Sequence, residues 1–238
     1  MCSPAAALVG GASVVRDVGA GRHLVIVVGA RKSFCTGTAL ARDLVLTAGH
    51  CVAPPSTYWV VVGPPPWLAL KSIAVHPRYN AKDYANGRVT ADVALLKLET
   101  PLPERVQPAE LATNRTVAAG DAFVIAGMGV TAPGGEEGIA VPRAAAVVAT
   151  GRPGNLQIRL VDPATRGERA GLGACIGDSG GPAFVERDGR FAVIGVVSWA
   201  TGPSGSEGCG GMTGVTPIWL YRSWIVEQAR KMGSVIGP

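Results

Sequence analysis

From Ser13 onward the chain alternates short runs of β-branched and other apolar residues with clusters of glycine, proline and small polar residues. The runs lie at residues 23–28, 44–46, 58–62, 93–98, 122–125, 145–148, 157–161 and 191–197. They read as strands, and no long helical pattern intervenes of the kind that βαβ units require. An all-β barrel or sandwich follows, with 33 glycines and 18 prolines to supply its turns. The proline-rich stretch 101–108 is the best linker and parts the strands into two sets. Only the C-terminus reads as helix. Tyr221, Trp224, Ile225, Ala229 and Met232 recur at helical spacing, Arg230 and Lys231 fall in the last turn, and Gly233 can cap it. That apolar stripe is expected to pack against a core.

Composition narrows the class further. With 47% apolar and 16% charged residues, the 238-residue chain can bury a core and is unlike a disordered segment. No apolar run approaches the ~18 residues that span a bilayer. The formal charge of +5 is scattered, without a basic stripe of interleaved aromatics, so no nucleic-acid partner is expected. Cysteines stand at positions 2, 35, 51, 175 and 209, with no CxxC pair and only His50 beside one, which argues against zinc. Four of them can form two disulfides, as in an oxidising compartment, with Cys2 left over. Residues 1–7 lack the regions of a whole signal peptide, but Ala5-Ala6-Ala7 suits the cleavage site at the end of one. Asn114-Arg115-Thr116 is a glycosylation sequon that is not expected to be used.

Reactive chemistry concentrates in Gly177-Asp178-Ser179-Gly180-Gly181-Pro182. Glycines let a ligand approach the main chain, and such a loop can aim the N–H groups of Gly177 and Ser179 at one point. The three histidines are at 23, 50 and 76. His50 follows a β run, and Asp92 opens the otherwise apolar strand Ala91-Asp92-Val93-Ala94-Leu95-Leu96. With Ser179 they supply a nucleophile, a base and an orienting carboxylate. Gly177-Asp178-Ser179-Gly180-Gly181 also matches the nucleophile elbow of α/β-hydrolases, but that fold needs a histidine after the serine, and none lies beyond Ser179. The subtilisin order, with Asp17 or Asp43 before His50, belongs to a helix-rich fold. His50, Asp92, Ser179 is the chymotrypsin order.

Thr47-Ala48-Gly49-His50-Cys51, Asp92-Val93-Ala94-Leu95-Leu96, Gly177 to Pro182 and Val197-Ser198-Trp199 resemble the signature blocks of the chymotrypsin/trypsin family of serine proteases. Cys35-Thr36-Gly37-Thr38, Val75-His76-Pro77 and the C-terminal helix agree, and the likeness runs from about Leu8 to Val235. The resemblance implies an all-β fold of two antiparallel six-stranded barrels packed face to face, with a C-terminal helix. The barrels would take residues of about 8–108 and 109–238, behind a leader or propeptide remnant at 1–7. By carry-over, His50 is the general base, Asp92 its orienter and Ser179 the nucleophile. Gly177 and Ser179 give the oxyanion donors, and Ser198 stands behind Asp92. His76 matches a structural position and His23 nothing catalytic. The resemblance pairs Cys35 with Cys51 and Cys175 with Cys209, each contributing roughly 3–4 kcal/mol in the chain-entropy model. The family's calcium loop is absent, since residues 63–74 hold no acid, so neither metal nor cofactor is expected.

The implied function is a secreted or periplasmic serine endopeptidase, a monomer whose partners are polypeptide substrates and protein protease inhibitors. A catalytically silent protease-like binding protein and a small-molecule esterase are the rival readings, and the complete His50, Asp92, Ser179 set speaks against the first. Leu8-Val9-Gly10-Gly11 resembles the family's mature N-terminus, whose freed amino group would bury against Asp178 and set Gly177. The specificity pocket would be formed by Gly173, Ser198, Trp199, Ala200 and Gly214. Gly173 at the floor carries no charge, Gly214 is expected to leave the pocket open at depth, and Ala200 to narrow its entrance. Small to medium apolar residues should therefore precede the cleaved bond. The lengthened loop 201–208 would reverse that expectation if it folded Glu207 inward.

Overall fold

The computed structural model describes residues 8–31, 33–113, 116–151 and 156–237. The leader with Cys2 and the Asn114 of the sequon lie outside them. Seven strands precede the proline-rich stretch: β1 (Ser13–Val14), β2 (Leu24–Gly29), β3 (Phe34–Ala41), β4 (Leu44–Thr47), β5 (Tyr58–Val61), β6 (Leu68–Val75) and β7 (Ala94–Leu98). Seven more follow it: β8 (Glu110–Leu111), β9 (Ala122–Gly127), β10 (Arg143–Ala149), β11 (Ile158–Val161), β12 (Pro182–Arg187), β13 (Arg190–Ala200) and β14 (Met212–Pro217). Helices are few: α1 (Gly49–Val52), α2 (Ala81–Ala85) and α3 (Arg222–Lys231), with some short 3-10 turns.

Six strands close a first antiparallel barrel in the order β2-β3-β4-β7-β6-β5. A second ring runs β9-β10-β11-β14-β13-β12 and returns to β9, because Ala183 and Phe184 of β12 pair with Ile125 and Val124. The expected pair of six-stranded barrels is therefore present. Four of their strands, β3, β6, β12 and β14, were not among the apolar runs. Each mixes Gly, Pro, Thr, Ser or Lys into its length, which blurs the pattern that marks a half-buried strand. In β3 the threonines Thr36 and Thr38 are fully buried. Thr36 Oγ1 donates to Gly177 O at 2.8 Å, so its polar group is satisfied inside.

The two ends of the chain cross over. β1 pairs with β10 of the second barrel, and Val9 N–H donates to Gly173 O at 3.1 Å. Reciprocally, α3 lays Ile225 and Ala229 into the core of the first barrel. His76 holds it there, with its ring edge-on to Tyr221 and Trp224 at 4.9 and 4.8 Å. Lys97 on β7 is buried and donates to Asp43 Oδ2 at 2.6 Å and Ser234 Oγ at 2.8 Å, tying the tail after α3 to the same barrel. His23 is likewise structural: it is buried against Phe184 and Phe191, with Nδ1 2.7 Å from Gln107 O.

Candidate active site

His50 rides on α1, a single turn that follows β4. Two features fix this turn. The Cys35–Cys51 disulfide ties it to β3, and Gly49 lets the backbone close on Asp92, since a side-chain carbon at Gly49 would lie 3.3 Å from Asp92 Oδ1. Asp92 stands just before β7 and is 1% exposed. Its Oδ1 accepts the His50 peptide N–H and its Oδ2 lies against His50 Nδ1, both at 2.8 Å. Ser198 Oγ donates to the same Oδ2 at 2.5 Å. A buried carboxylate with three partners fixes the ring and assigns the proton on Nδ1, leaving Nε2 as the basic atom.

Ser179 lies across the same cleft, which has a volume of about 470 Å³ and is walled by Phe34, His50, Tyr58, Ile176, Gly177 and Ser179 among others. Its loop is clamped to both barrels: Thr36 N–H donates to Ser179 O, and Gly180 N–H to Val197 O, each at 2.8 Å. Among the described residues no hydrogen bond joins Ser179 Oγ to His50 Nε2, although both side chains line the cleft. Gly177 has φ +89, and a side-chain carbon there would lie 2.0 Å from Phe34 Cε2, so only glycine fits. Among the described residues, neither Gly177 nor Ser179 spends its peptide N–H on a protein acceptor.

Asp178 is fully buried behind that loop. Its oxygens accept N–H groups from Cys175 at 2.8 Å and Gly129 at 2.9 Å, and the Leu8 backbone also donates to it. Burial outweighs these donors and pushes the carboxyl up to about 7. The sequence pointed to Leu8 and Asp178, and both are buried together here. Arg143 it did not mark. Arg143 is the cross-strand partner of Gly127, where a side-chain carbon would lie 2.1 Å from Asp178 Oδ1. Directly paired residues share a sheet face, so the buried Arg143 emerges toward this carboxylate, and its charge offsets part of the burial. Nothing in its surrounding motif marks it in sequence.

Tyr84 on α2 is a second unmarked residue. Its ring stacks on His50 with centroids 4.4 Å apart and planes at 14°, and its hydroxyl donates to Ser198 O at 2.9 Å. The stretch around it is polar and carries no apolar period, so only its position in space reveals it. Burial first, and then the charge of Asp92, push the phenol of Tyr84 above its usual range and that of Tyr79 up to about 12.

In the region expected to form the specificity pocket, the Trp199 indole covers Gly214: a side-chain carbon there would lie 2.0 Å from Trp199 Cε2. The two residues are directly paired across β13 and β14, which brings them onto one face. At the floor, a side-chain carbon on Gly173 would lie 3.0 Å from Gly210 Cα, so backbone meets backbone. Ala200 and Trp199 are half-buried, and Glu207 in the lengthened loop is exposed. Cys175 and Cys209 are joined beside this floor. β12 begins at Pro182, opposite Val196, so residues 198–200 of β13 run past its end with that edge unpaired among the described residues. Ser179 lies beside this open edge. Among the described residues the close His/Cys cluster is Cys35, His50 and Cys51, whose sulfurs form a disulfide and offer no thiolate for a metal.

A family model described as Trypsin matches residues 10–225. The chain is also similar to chymotrypsin-like elastase family member 1 of Rattus norvegicus, 30% identical over 214 residues that cover 80% of this chain and 77% of the relative. The same protein of Macaca fascicularis is 29% identical over 212 residues, again covering 80% and 77%. Serine protease 56 of Mus musculus is 31% identical over 220 residues, 82% of this chain and 34% of the relative. With two closed barrels, both expected disulfides and this match, the chain belongs to the trypsin family and is a serine-type endopeptidase.

Proposed function

We propose that Ser179, His50 and Asp92 act as the catalytic triad of a secreted enzyme that cleaves peptide bonds after small to medium apolar residues. The observation that carries this reading is the grip of Asp92 on His50 through both ring and main chain, opposite Ser179 in one cleft. Nε2 takes the Ser179 proton as Oγ attacks the peptide carbonyl, then passes it to the leaving amine. Water clears the acyl-enzyme by the same route in reverse. The N–H groups of Gly177 and Ser179 stabilise the oxyanion, and the substrate main chain adds to the open edge at 198–200. Cys35–Cys51 and Cys175–Cys209 support an oxidising, extracellular setting. Cleavage before Leu8 would supply the fully buried Asp178 with an α-ammonium partner and complete the active form.

The apolar preference rests on what the pocket lacks. An uncharged backbone floor at Gly173 and an exposed Glu207 leave a buried Lys or Arg head group without a counter-charge, and that desolvation cost goes unrelieved. The methyl group of Ala200 would narrow the entrance and place Phe and Tyr behind Ala, Val and Leu. The elastase name of two of the relatives agrees. Cleavage of a mixed peptide library by the processed enzyme tests this. Dominant cutting after Ala, Val, Leu or Met is expected, and dominant cutting after Arg or Lys overturns the preference.

A further inference from the structure

Away from the cleft, a second cavity of about 320 Å³ opens at the seam of the two barrels. Among the described residues it shares none with the lining of the cleft. Its first-barrel wall includes Ile26 of β2 and Val61 of β5, and its second-barrel wall includes Met128 after β9 and Pro142 before β10. Cavities that bind small molecules favour such junctions, with apolar walls and a few polar groups that fix orientation. Here those polar groups are mainly cations. Arg16, Arg22 and Arg105 line the cavity against one acid among the described residues, Asp17. Among the described residues none of the three arginines stands in an ion pair. The Arg105 guanidinium donates to Val62 O, and a side-chain carbon on Gly63 would lie 3.1 Å from its Nη2, so the head group sits on the cavity wall. Arg22 Nη1 donates to Gln107 Oε1 at 3.3 Å, while its Nε is buried with no acceptor among the described residues. A buried donor of a charged group is costly to leave unpaired.

We propose that this seam cavity is a binding site for a small apolar carboxylate, with its head group on the arginines and its chain along the apolar wall. A guanidinium fork offers a carboxylate two parallel hydrogen bonds, and a wholly polar anion would leave the wall of Ile26, Val61 and Met128 unfilled. The volume holds roughly ten water-sized groups at ~30 Å³ each, about the size of an eight-carbon acid. The site stands independently of the protease reading, because its arginines lie outside the cleft lining.

The test is calorimetric titration of the full chain at neutral pH with sodium octanoate, 1-octanol and sodium acetate, repeated as a melting-temperature series. One octanoate should bind per chain and raise the melting temperature as its concentration rises. It should bind about tenfold more tightly than octanol, the weight of one charge-assisted hydrogen bond. Acetate, which lacks the chain, should bind about a hundredfold more weakly. Arg105→Gln and Arg22→Gln should each weaken octanoate by about three- to tenfold. Arg105 is exposed, so its variant keeps the fold and carries the test even where loss of the half-buried Arg22 disturbs it. Because Arg105→Gln leaves the cleft lining untouched, a loss of affinity in it locates the acid at the seam. Three results would each overturn the proposal. Octanoate could give neither heat nor a shift in melting temperature, it could bind no better than octanol, or its affinity could be the same in Arg105→Gln as in wild type.

Discussion

Asp92 and Asp178 are both buried carboxylates, yet they do opposite things. Asp92 has the His50 main chain, the His50 ring and the Ser198 hydroxyl as partners. Among the described residues Asp178 has peptide N–H donors and the offset of Arg143, and burial outweighs them. Its folded carboxyl titrates at about 7, above the unfolded value of 3.8. Between those values the unfolded chain releases its proton while the folded chain keeps it. The stability this group contributes is therefore full below about pH 4 and lost as pH rises through about 7. The melting temperature of the uncut chain, minus that of its Asp178→Asn variant, should fall from pH 4 to 8. A difference that rises with pH would mean the carboxylate already has a full counter-charge. At the triad, Ser179→Ala or His50→Ala should lower kcat by about 10⁵- to 10⁶-fold, because these groups act as a unit. Asp92→Asn should cost roughly 10⁴-fold through the wrong tautomer. Retention of a tenth of wild-type turnover by Ser179→Ala would remove it as nucleophile. The sequence singled out His50 and Asp92, which hydrogen-bond each other, and Ser179, which lines the same cleft as His50, because their chain order and flanking glycines constrain the chemistry they are proposed to do. It did not single out Tyr84 and Arg143, because stacking and cross-strand facing are set by tertiary contacts that leave no local pattern.

Strands with an uninterrupted apolar run, such as β2, β5 and β7, could be read from residue type alone, while β3, β6, β12 and β14 could not. In β3 the pattern is broken by residues whose polar atoms or missing side chains are accommodated by packing, as at Gly37, where a side-chain carbon would lie 2.7 Å from Val45 Cγ1, and in β6 by the exposed Lys71 and Ser72. The helix α3 was legible from its period, and it spans Arg222–Lys231 within the expected stretch. What anchors its tail is Lys97, which reads in sequence as an ordinary charge on a strand. Replacing Lys97 with Ala leaves Asp43 and Ser234 short of a donor, although Asp43 is partly exposed and water recovers some of the loss. A destabilisation of about 1–3 kcal/mol is expected in urea unfolding, with the m-value unchanged. No change in the midpoint would show that the tail contributes nothing to the fold.

Two barrels from one chain require that neither be finished by its own segment alone. The N-terminal β1 completes the face of the second barrel, and α3 completes the core of the first. This exchange could not be read from the linear order, since the proline-rich stretch parts the strands but not the ends. It also carries Leu8 into contact with Asp178, beside the loop that bears Gly177 and Ser179. His50 and Asp92 come from the first barrel and Ser179 and Ser198 from the second, so the proposed chemistry depends on the docking of the two. The account is tested most directly by treating the processed enzyme with diisopropyl fluorophosphate and mapping the adduct by mass spectrometry. One equivalent on Ser179, with peptide cleavage lost in proportion and labelling abolished in His50→Ala, is the predicted result. Labelling at another residue, or a fully labelled Ser179 in an enzyme that still cleaves peptides, would contradict it.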